Sequence, residues 1–205
     1  MDSLEKLIKI FADFPGIGPR QAKRFVYYLL SRNTSFLNDF VEQIQELKKE
    51  IRLCPDCFRY FPKKSSNKDI CQICQNPNRQ NSSLLVVARD VDLENIEKSH
   101  SFDGHYFVLG GTVPILDKEP EKKIRLREFR EIIQKRSAAG LKEIILGLNA
   151  NADGEYTGQV LTEQLSDLLT TLNIKISHLG RGLSTGTELE YSDSDTIKSA
   201  LANRH

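Results

Sequence analysis

All four cysteines of this 205-residue chain fall in two short pairs, Cys54-Pro55-Asp56-Cys57 and Cys71-Gln72-Ile73-Cys74, separated by a 13-residue loop. A C-x-x-C turn brings two thiolates onto one ion, and two such turns complete a closed tetrahedron. Such a site has no open position, so its metal is structural, and Zn2+ is the expected cofactor. Two disulfides, a redox pair and an iron–sulfur cluster are the alternatives. A reducing cytosol argues against disulfides. A single redox C-x-x-C leaves the second pair unexplained. The segment is too short to bury a core, so metal binding and folding are expected as one event. Lys63, Lys64 and Lys68 sit on the intervening loop, where a solvated surface accounts for each alone better than nucleic-acid contact does.

A second group of residues suits phosphate. In Phe14-Pro15-Gly16-Ile17-Gly18-Pro19 two glycines let the backbone come close to another object and aim N–H groups outward. Pro19 is placed to open a helix, whose N-terminus favours an anionic oxygen. Arg20, Lys23 and Arg24 follow on the first turns and supply counter-charge. A plain hairpin with solvated basic residues is equally consistent with the local residues. The arrangement resembles the helix-hairpin-helix motif, which implies a grip on the DNA backbone through Gly16, Ile17, Gly18, Arg20, Lys23 and Arg24. Such contacts position a protein without specifying a base.

A third group places acids after apolar runs. Arg89, Asp90 and Asp92 follow Leu84–Ala88, and Asn149-Ala150-Asn151-Ala152-Asp153-Gly154-Glu155 follows Glu143–Leu148. Carboxylates at strand ends suit Mg2+. Helix capping by Asp92 and a turn at residues 151–154 account for them at least as well.

These residues need elements to hold them. Leu4, Leu7, Ile8 and Phe11 form one stripe of an amphipathic helix. Ala22, Phe25, Val26, Leu29 and Leu30 form another after Pro19. Asn33-Thr34-Ser35 caps a third helix carrying Phe36, Phe40, Val41, Ile44 and Leu47. From residue 84 strands and helices alternate. Strands are expected at Leu84–Ala88, His105–Leu109, Glu143–Leu148 and Ile174–Leu179. Helices are expected at Asp92–Lys98, Glu121–Ser137 and Thr157–Leu172. This alternation implies a parallel sheet with helical crossovers. A strand near Glu188–Tyr191 and a last helix capped by Asp193 complete the reading. The expected divisions are 1–53, 54–80, 81–179 and 180–205.

Composition narrows the function. Hydrophobic residues make up 39% and charged residues 28%, with a net charge of +1. Wholesale disorder and a uniformly basic coat are excluded. Residues 1–83 carry 14 Lys/Arg against 9 Asp/Glu, whereas residues 84–205 carry 15 against 19. A basic first part and an acidic second part suggest different partners. The acidic start Met1-Asp2-Ser3-Leu4-Glu5-Lys6 and the lack of a long apolar run point to a soluble, cytoplasmic chain. No G-x-x-x-x-G-K-[ST] loop occurs, so ATP hydrolysis lacks its phosphate cradle. His100, His105, His178 and His205 show no ligand spacing and read as strand-end or terminal residues.

The ordered set resembles the RecR recombination mediator family over essentially the whole chain. The matching pieces are the Phe14–Pro19 turn, the four cysteines and Asn76-Pro77-Asn78-Arg79-Gln80. Tyr106-Phe107-Val108-Leu109-Gly110-Gly111 and Gly154-Glu155 follow, and then Gly182 through Leu189-Glu190-Tyr191-Ser192-Asp193. The resemblance implies a helix-hairpin-helix region, a zinc finger, a Toprim-like parallel α/β domain and a C-terminal segment. It implies a ring-shaped homo-tetramer that binds single- or double-stranded DNA. It also implies work with RecO-like and RecF-like partners in loading recombinase onto single-stranded DNA.

The chain departs from the family's pattern in places. Toprim enzymes hold Mg2+ with a glutamate after the first strand and an Asp-x-Asp after the third; here those positions are Ala88, Asn149 and Asn151. Losing that acid removes general acid–base chemistry there. Residues 112–123 replace a Gly-rich segment, and Ser184-Thr185 replaces Pro-Val. The expectation is therefore a non-enzymatic scaffold, with Asp153 and Glu155 as acidic partner contacts. The alternatives are a Mg2+-dependent nuclease using Asp90, Asp92, Asp153 and Glu155, or an adaptor that works independently of DNA.

Overall fold

Local side-chain bonds start the first helices. Asp2 accepts the Glu5 N–H at 2.8 Å and opens α1 (Ser3–Ala12). Pro19 opens α2 (Pro19–Leu30), and Asn33 accepts the Phe36 N–H at 2.9 Å to open α3 (Thr34–Glu50). A computed structural model describes residues 1–65, 69–117, 119, 122–180, 182, 183, 186 and 188–202. Lys68, Ser184, Thr185 and His205 lie outside the described residues. The chain divides into two compact units, Met1–Arg52 and Leu53–His205.

In the first unit α1 packs on α2 through its expected stripe. Phe11 meets Phe14 and Phe25 edge-on, each at 5.6 Å between centroids. Only Ala22 and Val26 are fully buried among the described residues of this unit. Helix α3 forms as its periodicity predicts, yet none of its residues is buried. Phe36, Phe40, Val41, Ile44 and Leu47 all stand exposed.

In the second unit β1 (Ile51–Leu53), where the division falls, leads into β2 (Tyr60–Pro62) and the short α4 (Gln72–Gln75). Then come β3 (Ser83–Val87), α5 (Asp90–Ser99), β4 (His105–Val108), α6 (Leu126–Ser137), β5 (Glu143–Gly147), α7 (Ala152–Leu172), β6 (Lys175–His178) and α8 (Ser194–Ala202). The sheet is parallel throughout, in the order β4-β3-β5-β6. Alternation along the strands separates two cores. Leu84, Val86, Phe107, Ile144 and Leu146 face α6 and α7 with Phe129, Ile133, Leu161 and Leu165. Leu85, Val87, Tyr106 and Val108 face the other way, against Leu93 of α5 and against Cys54, Cys57, Phe61, Cys71 and Ile73.

Several boundaries differ from the sequence reading. Helix α6 starts at Leu126, not Glu121, which is outside the described residues. The Arg125 N–H donates to Leu109 O at 2.9 Å, so the chain here is tied to the end of β4 rather than to its own helix. Helix α7 starts at Ala152, because Asn151 accepts the Gly154 N–H at 2.9 Å and acts as a cap rather than as part of a turn. The strand expected at Glu188–Tyr191 is a single 3-10 turn closed by Tyr191 N–H to Glu188 O and Ser192 N–H to Leu189 O. Asp193 does cap α8, accepting from Asp195 and Thr196 at 3.0 and 2.9 Å.

Candidate phosphate-binding turn and metal centre

The turn before α2 is built by its two glycines and two prolines. The Ile17 N–H donates to Phe14 O at 3.0 Å, closing a four-residue turn. Pro15 occupies its second position and Gly16, at φ +76°, its third. This is the residue pattern of a type II turn, which needs the left-handed conformation that glycine adopts freely. Nothing lies within 4 Å of where a Gly16 or Gly18 Cβ would stand, so the surface here is open to another molecule. Gly18 is the N-cap of α2 and offers no side-chain acceptor. The first amides of α2 are thus free of a side-chain cap and carry the positive end of the helix dipole. Ile17 is half-buried and anchors the loop. Arg20, Lys23 and Arg24 are exposed, and Arg24 also donates to Gln21 Oε1 at 3.2 Å.

The four cysteines meet as their spacing predicts. The sulfurs of Cys54, Cys57, Cys71 and Cys74 all lie within 4.8 Å of one another, and the Cys57–Cys71 pair is 3.5 Å apart. All four are free thiols, three buried and Cys74 half-buried. Sulfurs about 2.3 Å from a tetrahedral zinc stand roughly 3.8 Å apart, so this spacing suits one shared ion. The thiols also perturb one another. Hydrogen bonds from Cys57, Cys71 and Cys74 hold the Cys54 thiol well below its ordinary pKa. The Cys54, Cys57 and Cys71 sulfurs, helped by burial, push Cys74 far above it. A bound cation would remove that conflict by favouring the thiolate at every position.

The first knuckle is held by backbone bonds that no spacing rule reveals. Phe58 N–H donates to Cys54 O and Cys54 N–H to Arg59 O, both at 2.9 Å. Phe58 itself sits at φ +59°, a conformation rare for a bulky residue. The surroundings enforce it. The Phe58 ring packs on Phe107 at 5.3 Å, and its carbonyl accepts from Arg125 Nη1 at 3.0 Å. The same guanidinium donates to Val108 O at 2.8 Å. The Val108 N–H donates to Cys57 O, also at 2.8 Å. The cysteine segment therefore docks on the outer edge of β4 and shares its core. The segment, too short to bury a core of its own, thus draws part of its burial from the sheet.

The acids at the strand ends do not converge. Asp90 accepts the Tyr60 N–H at 2.7 Å, and Asp92 accepts the Arg89 N–H at 2.9 Å as part of the α5 cap. Asp153 and Glu155 stand in the first turn of α7. Being two residues apart, they point to different sides of the helix. Glu155 lines an open groove with Asn149, Gly158 and His178, whereas Asp153 does not. Among the described residues, the cysteines are the one group of three or more such ligands brought within reach of a single ion. Gly154 has a packing reason: a Cβ there would stand 2.0 Å from Asn149 O.

Comparison with known proteins agrees with this layout. A family profile described as "RecR, helix-hairpin-helix" matches residues 4–48. A Toprim domain profile matches residues 82–180, and "RecR, C-terminal" matches 182–205. Recombination protein RecR of Bifidobacterium adolescentis is 34% identical over 203 residues, covering 98% of this chain and 95% of that protein. The chain belongs to the RecR family. The Legionella pneumophila RecR is 35% identical over 204 residues, covering all of this chain and 96% of its own length. That of Gloeobacter violaceus is 34% identical over 201 residues, covering 98% and 96%. This RecR chain combines helix-hairpin-helix and Toprim domains with a four-cysteine cluster that fits a zinc finger. Ala88, where the family resemblance leads to the expectation of a glutamate, is buried directly after β3. Among the described residues no helix is long and apolar enough to cross a membrane.

Proposed function

We propose that this RecR-family chain is a non-enzymatic, DNA-binding mediator of recombination and repair that assembles into a ring or clamp. The uncapped start of α2 behind the open Gly16–Gly18 turn carries the reading. Its free amides, with exposed Arg20, Lys23 and Arg24, form a sequence-independent seat for backbone phosphates. Cys54, Cys57, Cys71 and Cys74 hold a structural Zn2+. The exposed apolar face of α3 serves self-association, a tetramer being what the family resemblance implies. Asp153 and Glu155 offer acidic contacts, separately rather than as a pair, to RecO-like and RecF-like proteins during recombinase loading. The four divisions at 1–53, 54–80, 81–179 and 180–205 serve these roles in turn, and the setting is the cytoplasm. A non-enzymatic role is supported by Ala88 in place of an acid and by Asp90 and Asp92 being engaged with backbone amides.

The test is a salt titration of DNA binding by wild type and by Lys23→Ala/Arg24→Ala. The variant should bind more weakly and with a shallower salt dependence. Equal affinity and slope would sink the role given to these residues. Mg2+-dependent cleavage of labelled DNA that disappears in Asp153→Ala would replace the scaffold with a nuclease.

A further inference from the structure

A cavity of about 240 Å³ in the second unit lies beside the cysteine cluster, and Cys74 is the one lining residue with a role above. Asp56, Arg79, Asn81, His105, Lys135 and Arg136 line it, from the first cysteine knuckle, the Asn76–Gln80 run, β4 and the end of α6. Most of its charges are already matched. Arg79 pairs with Glu97 and donates to Gly104 O at 2.8 Å. Lys135 pairs with Asp56. His105 is only 5% exposed, with Nε2 at 3.1 Å from Asn81 Oδ1 and a buried, unpartnered Nδ1. Burial, Arg136 and Arg79 together push its pKa down to about 4, so it stays neutral in a positive field.

Arg136 is the exception. Its guanidinium is half-buried and makes no hydrogen bond or ion pair among the described residues, and its Nε is buried without an acceptor. An unmet buried donor is costly, and more so on a charged group. Arg136 is therefore the one cation of the lining without an anionic partner among the described residues. A guanidinium fork matches an oxyanion. Donors from two segments, Arg136 and Lys135 at the end of α6 and Asn81 before β3, line the one cavity and suit a tetrahedral anion better than a planar carboxylate.

We propose that this cavity binds a phosphate group, with Arg136 as its main ligand and Lys135 and Asn81 beside it. The phosphate comes either from a nucleic-acid backbone or from free phosphate and its monoesters. The first source rests on the DNA-binding reading above, and the second does not.

The full chain with its metal is titrated with inorganic phosphate, against chloride at matched ionic strength, by calorimetry and by the His105 imidazole signals. Saturable binding is expected, with a shift of those signals. In Arg136→Gln phosphate binding should fall about tenfold or more, since a charge-assisted bond is lost, and Arg136→Lys should recover part of it. Single-stranded DNA binding is then measured with and without phosphate. Competition by phosphate, together with weaker DNA binding in Arg136→Gln, assigns the site to the nucleic-acid backbone. Phosphate binding that leaves DNA affinity untouched assigns it to free phosphate or a monoester. Absence of saturable phosphate binding in wild type overturns the proposal whatever the variant's stability. So does equal binding in a folded Arg136→Gln protein. If Lys23→Ala/Arg24→Ala leaves DNA affinity unchanged while phosphate still binds here, the first-unit reading fails and this one stands.

Discussion

The two units of this chain spend their apolar residues differently. Residues Leu53–His205 bury two cores, one on each face of a parallel sheet. Residues Met1–Arg52 bury Ala22 and Val26, and leave Ile44 52% and Leu47 60% exposed on a helix of 17 residues. A contiguous exposed apolar face marks an interaction surface. The second unit thus buries its apolar residues in two cores, whereas the first leaves amides and cations exposed on the α2 turn and an apolar stripe exposed on α3. A segment of fewer than 60 residues with two buried side chains gains little stability from burial alone.

This contrast is open to attack from both sides. The largest effect is expected from removing the metal. Chelation or Cys71→Ser strips the knuckles from β4 and exposes Phe61, Ile73 and Tyr106, so melting should fall by more than about 10 °C, equivalent to several kcal/mol. Unchanged melting would mean that the shared core holds the cysteine segment without an ion. Next, Ile44→Asp/Leu47→Asp places charges on the α3 stripe. Light scattering should then report a lighter particle than wild type, and an unchanged mass would free α3 from any part in assembly. Gly154→Ala should destabilise the second unit by roughly 1–3 kcal/mol in urea, because the added Cβ meets Asn149 O. Lys23→Ala/Arg24→Ala should lower the slope of log affinity against log salt by about 1.5, two phosphate contacts being lost.

The last test is a pH dependence, visible only under acid conditions. His105 has a folded pKa of about 4, below its ordinary 6.5. As pH falls below 6.5 the unfolded chain takes up the proton and the native state does not. The stability tied to this group is therefore complete above 6.5 and lost as pH drops toward 4. His105→Gln should flatten that part of the curve relative to wild type, and identical curves would show that another group sets it.

Much of the site was legible because its determinants are local. Pro15 and Gly16 specify a turn that any chain with those residues favours, and Pro19 then opens the helix. The C-x-x-C spacing brings two sulfurs to one ion before any tertiary contact forms. Apolar periodicity starts α7 five residues late, at Thr157, because the first turn is set by the Asn151 cap rather than by apolar residues. Phe58 and Arg125 carry no sequence signal of their roles. No pattern rule selects a phenylalanine at φ +59° or an arginine whose fork joins two carbonyls from separate segments.

By itself, the amino-acid order determined the three N-terminal helices, the parallel α/β alternation from residue 84, the pairing of cysteines within each C-x-x-C and the glycine turn before α2. Each is marked by periodicity, capping or spacing among residues a few positions apart. The tertiary structure alone decided that the cysteine segment shares the core of the sheet, that the four acids stay apart and that α3 keeps its stripe exposed. It also gathered Asp56, Arg79, His105 and Arg136 around one cavity. Those outcomes depend on which surfaces remain uncovered after the strands pair, and contacts of that range leave no periodic trace in the chain.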